Sequence, residues 1–165
     1  MAGISKLLMA AALSAGVAHP EGHIQKAEEY GVPGKVDYRN LVERYSQPHW
    51  NMMLDKKREA DIHSAGFENQ QRLAKALEGT ELEGEGRLFN ALFKALYAAG
   101  VKPSGTKGDP ELIAEATGNK PGLVKSLLAL AALADYDKYK RPERQWELTP
   151  EMIGSGYGLK FTTPF

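Results

Sequence analysis

The chain has 165 residues, 42% of them hydrophobic and 25% charged, and its 21 basic and 21 acidic side chains cancel to a net charge of zero. That is the composition of a folded domain rather than a disordered segment, and it lacks the basic surplus with which phosphate-gripping proteins gain non-specific affinity. The absence of cysteine excludes disulfides, thiolate nucleophiles and zinc–sulfur sites, and no apolar run reaches the roughly 20 residues of a bilayer span.

Residues 1–18 carry Lys6, then LLMAAALSAGVA, with Gly16 and Ala18 small at the end, which is the outline of a short secretory signal. The same stretch reads as an Ala-rich helix with Ile4, Leu8, Ala11 and Ala15 on one stripe. A single Lys as the charged start favours the second reading, a helical arm packed on a partner. The arm places the protein in the cytoplasm or within an assembly; a signal would direct it to the periplasm or outside the cell.

HIQKAEEY is a short helical piece ended by Gly31 and the turn Val32-Pro33-Gly34. Asp37 is the expected N-cap of a helix YRNLVERY, with Leu41, Val42 and Tyr45 on one side and Ser46-Gln47-Pro48 as its stop. A long polar helix is predicted from Trp50 to Leu77, its apolar positions sparse (Met52, Met53, Ile62, Phe67, Leu73, Leu77). Gly66 weakens it by about 1 kcal/mol relative to Ala, so a kink is expected near 64–66. GTELEGEG (79–86) reads as a linker and domain boundary.

From Gly86 the pattern becomes denser. In GRLFNALFKALYAAGV, Leu88, Leu92, Leu96 and Ala99 share a face broadened by Phe89 and Phe93, which predicts burial in a small core. After the loop KPSGTKG, Asp109 is placed to cap a second helix, with Pro110 at its first position and Glu111 complementing the dipole. Gly118 supplies the turn and Asn119 a cap for a third helix that tolerates Pro121 in its first turn. Only Thr117, Gly118 and Asn119 separate the two, the spacing of a helix-turn-helix. Tyr136, Tyr139, Trp146 and Leu148 then lie among charges, and Pro142 in KRPER predicts a wing turn between short strands. Thr149-Pro150-Glu151 looks like the start of a further helix. The expected fold is mainly α, with a helical arm and helices over 1–85. A winged helix-turn-helix core with a small β-hairpin follows over 86–151, then an extended tail over 152–165.

LFNALFKAL, DPELIAEATGNKPGLVKSLLALAALA and QWELTPE together resemble the N-terminal winged-helix dimerisation domain of S-adenosylmethionine-dependent small-molecule O-methyltransferases, over residues 86–151. The glycine-rich cofactor loop of that family's catalytic domain has no counterpart, because neither GEG (84–86) nor GYG (156–158) has the flanking strand and helix it needs. The resemblance implies a docking or dimerising winged helix without a methyl-donor site.

No catalytic signature stands out. G-x-S-x-G is absent, and the carboxylates of Glu28–Glu29 and Glu81–Glu85 lie in stretches that read as solvated, without the apolar surroundings that separate two carboxyl pKa values. His19 and His23 are four apart, but Pro20 and Gly22 argue against one helix face holding both. His63 and Glu59 could pair on a helix without a third ligand, and His49 stands at a helix start beside Pro48 and Trp50. No metal or cofactor site is therefore expected. The expected function is a non-catalytic interaction or assembly module, oligomerising or docking on protein partners. It would act through Leu8, Leu123, Leu127 and Leu130 and through an aromatic arm that inserts Tyr157, Phe161 and Phe165 into a neighbour. One alternative is a DNA-binding regulator gripping phosphates with Lys120, Lys125, Lys138, Lys140, Arg141 and Arg144, although the third helix offers no Arg to read base edges. A degenerate or regulatory methyltransferase-related subunit, or a virion structural component, is the other.

Overall fold

The computed structural model describes residues 2–39, 42–101, 107–144 and 146–163. It has the expected class, mainly helical with small antiparallel β-hairpins. Helix α1 (Ala2–Ala11) continues through a π-helical stretch (Ala12–Ala18) into α2 (His19–Glu29). The widened turns have a reason in Pro20. A proline inside a helix lacks its donor and collides with the carbonyl four residues back. Wider i→i−5 spacing, seen where the His19 N–H donates to the Ser14 carbonyl, relieves that collision and keeps the rod continuous. Pro20 and Gly22 thus do not keep His19 and His23 apart, contrary to the expectation from sequence; α2 carries both.

The helix expected over YRNLVERY is instead a hairpin of β1 (Gly34–Asp37) and β2 (Val42–Tyr45), with Val36 opposite Glu43 and Lys35 opposite Arg44. Asp37 does not cap a helix; its carboxylate accepts from the Arg39 N–H at 3.2 Å and from Arg44 at 3.0 Å across the strands. Leu41 lies outside the described residues. The long polar helix divides into α3 (Gln47–Met53) and α4 (Lys56–Ala76) at Asp55, whose side chain accepts from the Arg58 N–H at 2.9 Å. No break occurs at Gly66.

Three further helices follow, α5 (Glu83–Ala98), α6 (Asp109–Thr117) and α7 (Pro121–Lys140). The turn at Gly118 has φ of 70°, the left-handed value for which glycine suits a helix C-terminus. α7 absorbs Tyr136 and Tyr139, so the hairpin lies later than expected, as β3 (Glu147–Ile153) and β4 (Gly156–Thr162). Thr149, Pro150 and Glu151 are strand residues, and the supposed extended tail pairs with them: Leu148 faces Phe161, Pro150 faces Leu159 and Met152 faces Tyr157.

Helix α4 organises the molecule by packing against α2, α5, α6 and β3. Its Phe67 is fully buried with Ile113, Val124, Leu128 and Tyr157, so one core spans the boundary expected at residue 85. A smaller cluster gathers Ala27, Val32 and Ile62 beneath Tyr30, Tyr45, Trp50 and Leu54.

The crossing of α2 on α4 is set by glycine. A Cβ on Gly22 would stand 2.5 Å from the Ala65 carbonyl oxygen and 2.8 Å from the Asn69 Cβ, so these helices touch backbone to backbone. Gly22→Ala is expected to destabilise the fold by about 1–3 kcal/mol through overpacking, more than the roughly 1 kcal/mol of helix propensity it gains. Gly16→Ala, with nothing within 4 Å of the new methyl, should stabilise by about 0.5–1 kcal/mol. Urea unfolding of the two variants tests the opposite signs; a stabilising Gly22→Ala would mean that α2 is not docked this way.

Candidate functional site

Helix α5 faces the opposite way from the one its Leu pattern predicts. Its buried side carries Gly86, Arg87, Asn90, Ala91 and Lys94, while Leu92 and Leu96 remain 47% and 48% exposed. The reversal follows from Lys94, which is fully buried and donates to Asp135 of α7 at 2.6 Å and to Gln71 of α4 at 2.7 Å. Asn90 joins the same pair of acceptors at 3.1 and 2.8 Å. Burial pushes the Asp135 carboxyl pKa up against the pull of Lys94. With these polar groups inside, the leucines are left outside. Between α5 and α7 runs an open groove of about 570 Å³, floored by Ala91, Ala95, Ala98, Ala129 and Ala132 and edged by Leu92, Leu133 and Tyr136.

Of the interface residues chosen from sequence, Leu8, Leu123, Leu130 and Phe161 are exposed, and Leu127 is partly buried against the core. Tyr157 is a correction. It belongs to β4 and is buried in the protein's own core, because the hairpin folds back over α4 and α7 instead of reaching outward. Phe165 lies outside the described residues. The outward leucines Leu92, Leu96 and Leu133 were not among the residues chosen.

The six cations considered for DNA are mostly engaged within the chain. Lys138 pairs with Glu147 at 2.6 Å and Glu78 at 3.0 Å, Arg144 with Asp137 at 2.6 Å, and Lys125 with Glu111 at 2.6 Å. Arg141 also reaches Asp137, at 3.5 Å, and Lys140 sits over the Tyr136 and Tyr139 rings. Lys120 is exposed at the start of α7.

A second constellation lies within the fold. Asp109, expected to cap α6, makes no cap; Gly108 holds that position. The carboxylate turns inward, its Oδ2 3.0 Å from His19 Nε2 and 3.9 Å from His23 Nε2, and its Oδ1 3.2 Å from His63 Nδ1. His23 Nδ1–H donates to Glu43 of β2 at 2.8 Å, and Tyr45 donates to the same carboxylate at 2.8 Å. His19 is clasped by Phe67, Phe93 and Tyr97 at ring-centroid distances of 5.0–5.5 Å. Burial opposes charge on Asp109, but His23, His19 and His63 outweigh it and hold its pKa well below the usual carboxylate range. Burial likewise opposes protonation of His23, yet Asp109 and Glu43 pull its pKa up.

Gly66 makes this packing feasible: a Cβ there would fall 2.3 Å from His23 Nε2 and 2.5 Å from His19 Cε1. The sequence therefore signals a close approach at Gly22 and Gly66 where a helix weakness was expected. Of the four histidines, His19, His23 and His63 converge, whereas His49 stands apart, exposed and bonded to Ser46 at 2.7 Å. Glu59 is not a partner of His63; it accepts from the Trp50 indole at 3.0 Å. No helix among the described residues is long and apolar enough to cross a membrane. Comparison with protein-family models, with curated proteins and with solved structures returned no match.

Proposed function

We propose that the chain is a non-catalytic self-association module, in which the α5/α7 face of one copy packs on the same face of a second. The observation that carries this reading is the unpartnered apolar groove edged by leucines. Leu92 and Leu133 at its edges are 47% and 65% exposed, and Leu96 and Leu130 are also exposed on the same two helices; an exposed apolar groove of this kind marks interaction surfaces. The face is self-complementary, offering an alanine floor to receive side chains and leucine ridges to insert, as two-fold symmetric pairing requires. With no net charge on the chain, two copies meet without long-range repulsion. The order of three helices and a hairpin (α5, α6, α7, β3–β4) supports this reading alongside the resemblance to a dimerising winged helix noted in the sequence. The DNA-regulator reading has no comparable support, because most of its cations are neutralised in place.

Sedimentation velocity and light scattering across the micromolar range test the proposal. The wild-type chain is expected to form a dimer, and Leu133→Glu to weaken it at least about tenfold, as for a central interface residue. The thermal midpoint of the dissociated chain should stay unchanged, since Leu133 is 65% exposed. A wild-type chain that stays monomeric throughout this range would sink the proposal.

A further inference from the structure

We propose that His19, His23 and Asp109 form a structural binding site for a divalent transition-metal cation of the zinc class. This is independent of the groove between α5 and α7, with which it shares no residue. One ligand atom from each of the three side chains lies within 4.8 Å of the other two, and all three residues are buried. Zinc–nitrogen and zinc–oxygen bonds of about 2.0–2.1 Å in a tetrahedron place neighbouring ligand atoms about 3.3 Å apart. The observed separations of 3.0 Å from His19 Nε2 and 3.9 Å from His23 Nε2 to Asp109 Oδ2 bracket that value. Closing the longer of these separations takes about 0.6 Å of side-chain movement.

Two features point to a ligand rather than to a merely buried polar cluster. First, His23 Nε2 is buried without a hydrogen-bond partner and lies 3.9 Å from Asp109 Oδ2. Such an arrangement is unfavourable without a cation or a proton between the two. Second, the surroundings have the outer-shell form of a metal centre. Glu43 accepts the Nδ1–H of His23, which fixes the tautomer that leaves Nε2 free, and His63 holds the other oxygen of Asp109. No lysine or arginine among the described residues ion-pairs with Asp109 or Glu43. One divalent cation held by His19, His23 and Asp109 would balance the carboxylates of buried Asp109 and part-exposed Glu43. Coordination by His19 Nε2 requires the tautomer with the proton on Nδ1, a buried atom with no hydrogen-bond partner among the described residues.

The donor set selects the cation. Imidazole nitrogens suit zinc, cobalt, nickel and copper, whereas calcium and magnesium require about six oxygen ligands. Three protein ligands leave the fourth tetrahedral position to a water, and the aromatic walls around His19 hold the ion inside the fold, where its role is structural. The ligands come from α2 and α6 and are positioned by α4 and β2, so one ion joins helices about 90 residues apart in sequence.

The test uses the full chain, stripped of metal with a chelator and then titrated with zinc chloride. Bound zinc is measured by atomic emission after gel filtration, and cobalt(II) serves as a visible-absorption probe of coordination. The expected result is one zinc per chain, a raised thermal midpoint and the visible bands of four-coordinate cobalt. His23→Gln should abolish uptake, Glu43→Gln should weaken it about 10–100-fold, and His49→Gln should leave it unchanged. Circular dichroism establishes that each variant is folded. Should His23→Gln not fold, Glu43→Gln decides, because its carboxylate is only an outer partner at the edge of the site. A folded wild-type chain that takes up no stoichiometric zinc would overturn the assignment, as would uptake that survives His23→Gln or Glu43→Gln at full strength.

Discussion

Lys94→Met is expected to lower the stability of the fold by about 3–5 kcal/mol, the range for removing one partner of a buried ion pair. For a chain of this length that corresponds to a drop in melting temperature of roughly 6–20 °C. The loss comes chiefly from what remains. Asp135 is 6% exposed, and without the ammonium at 2.6 Å its carboxylate is left with the neutral Asn90 amide at 3.1 Å and the Gln71 side chain. Gln71 loses its Lys94 donor at the same time. Asp135→Leu alone should cost a similar amount, by stranding the ammonium. The double variant Lys94→Met/Asp135→Leu should return close to wild-type stability, since replacing a whole buried pair with apolar groups of similar volume is often neutral or stabilising. Thermal or urea unfolding of the four proteins measures the coupling directly. Single variants within about 1 kcal/mol of wild type would show that the pair is solvated in solution.

That pair also explains which parts of the molecule could be read from sequence. Helices α6 and α7 were legible because their ends rest on local chemistry: Pro110 and Pro121 in first turns, and Gly118 in the left-handed turn between them. The orientation of α5 was not, because a Leu stripe at helical spacing normally faces the core, and here a non-local tetrad of Gln71, Asn90, Lys94 and Asp135 decides otherwise. Asp135, the first of two acidic residues in α7 and the one that directly follows its run of leucines and alanines, is the one hint. The β1–β2 hairpin was missed because YRNLVERY satisfies both periods over so short a stretch, and only contacts with Ile62, Trp50 and Val32 favour the extended form. Beyond the i,i+4 pair His19 and His23 on α2, the histidine cluster draws on residues 43, 63 and 109, which no local spacing joins to them. Within it, the Asp109-Pro110 helix start looked complete as a cap, which hid a carboxylate aimed elsewhere.

Phe67→Ala is the other substitution expected to act strongly, with a loss of about 3–5 kcal/mol. Phe67 is fully buried and forms the wall between two environments. One side of it belongs to the apolar core of Ile113, Val124 and Leu128, and the other meets the His19 ring edge-on at 5.1 Å and Tyr97 at 5.2 Å. The cavity left by truncation would have polar atoms within reach, including the unpaired Tyr157 hydroxyl and His19 Nδ1. A cavity of that kind admits water, unlike one lined only by aliphatic side chains. Hydration should hold the loss toward the lower end of the range and leave the cavity unable to bind benzene. Calorimetry of Phe67→Ala with and without benzene distinguishes the cases. A benzene-dependent recovery of the melting temperature would mean that the cavity is dry, and that Phe67 does not border the polar cluster as the ring contacts require.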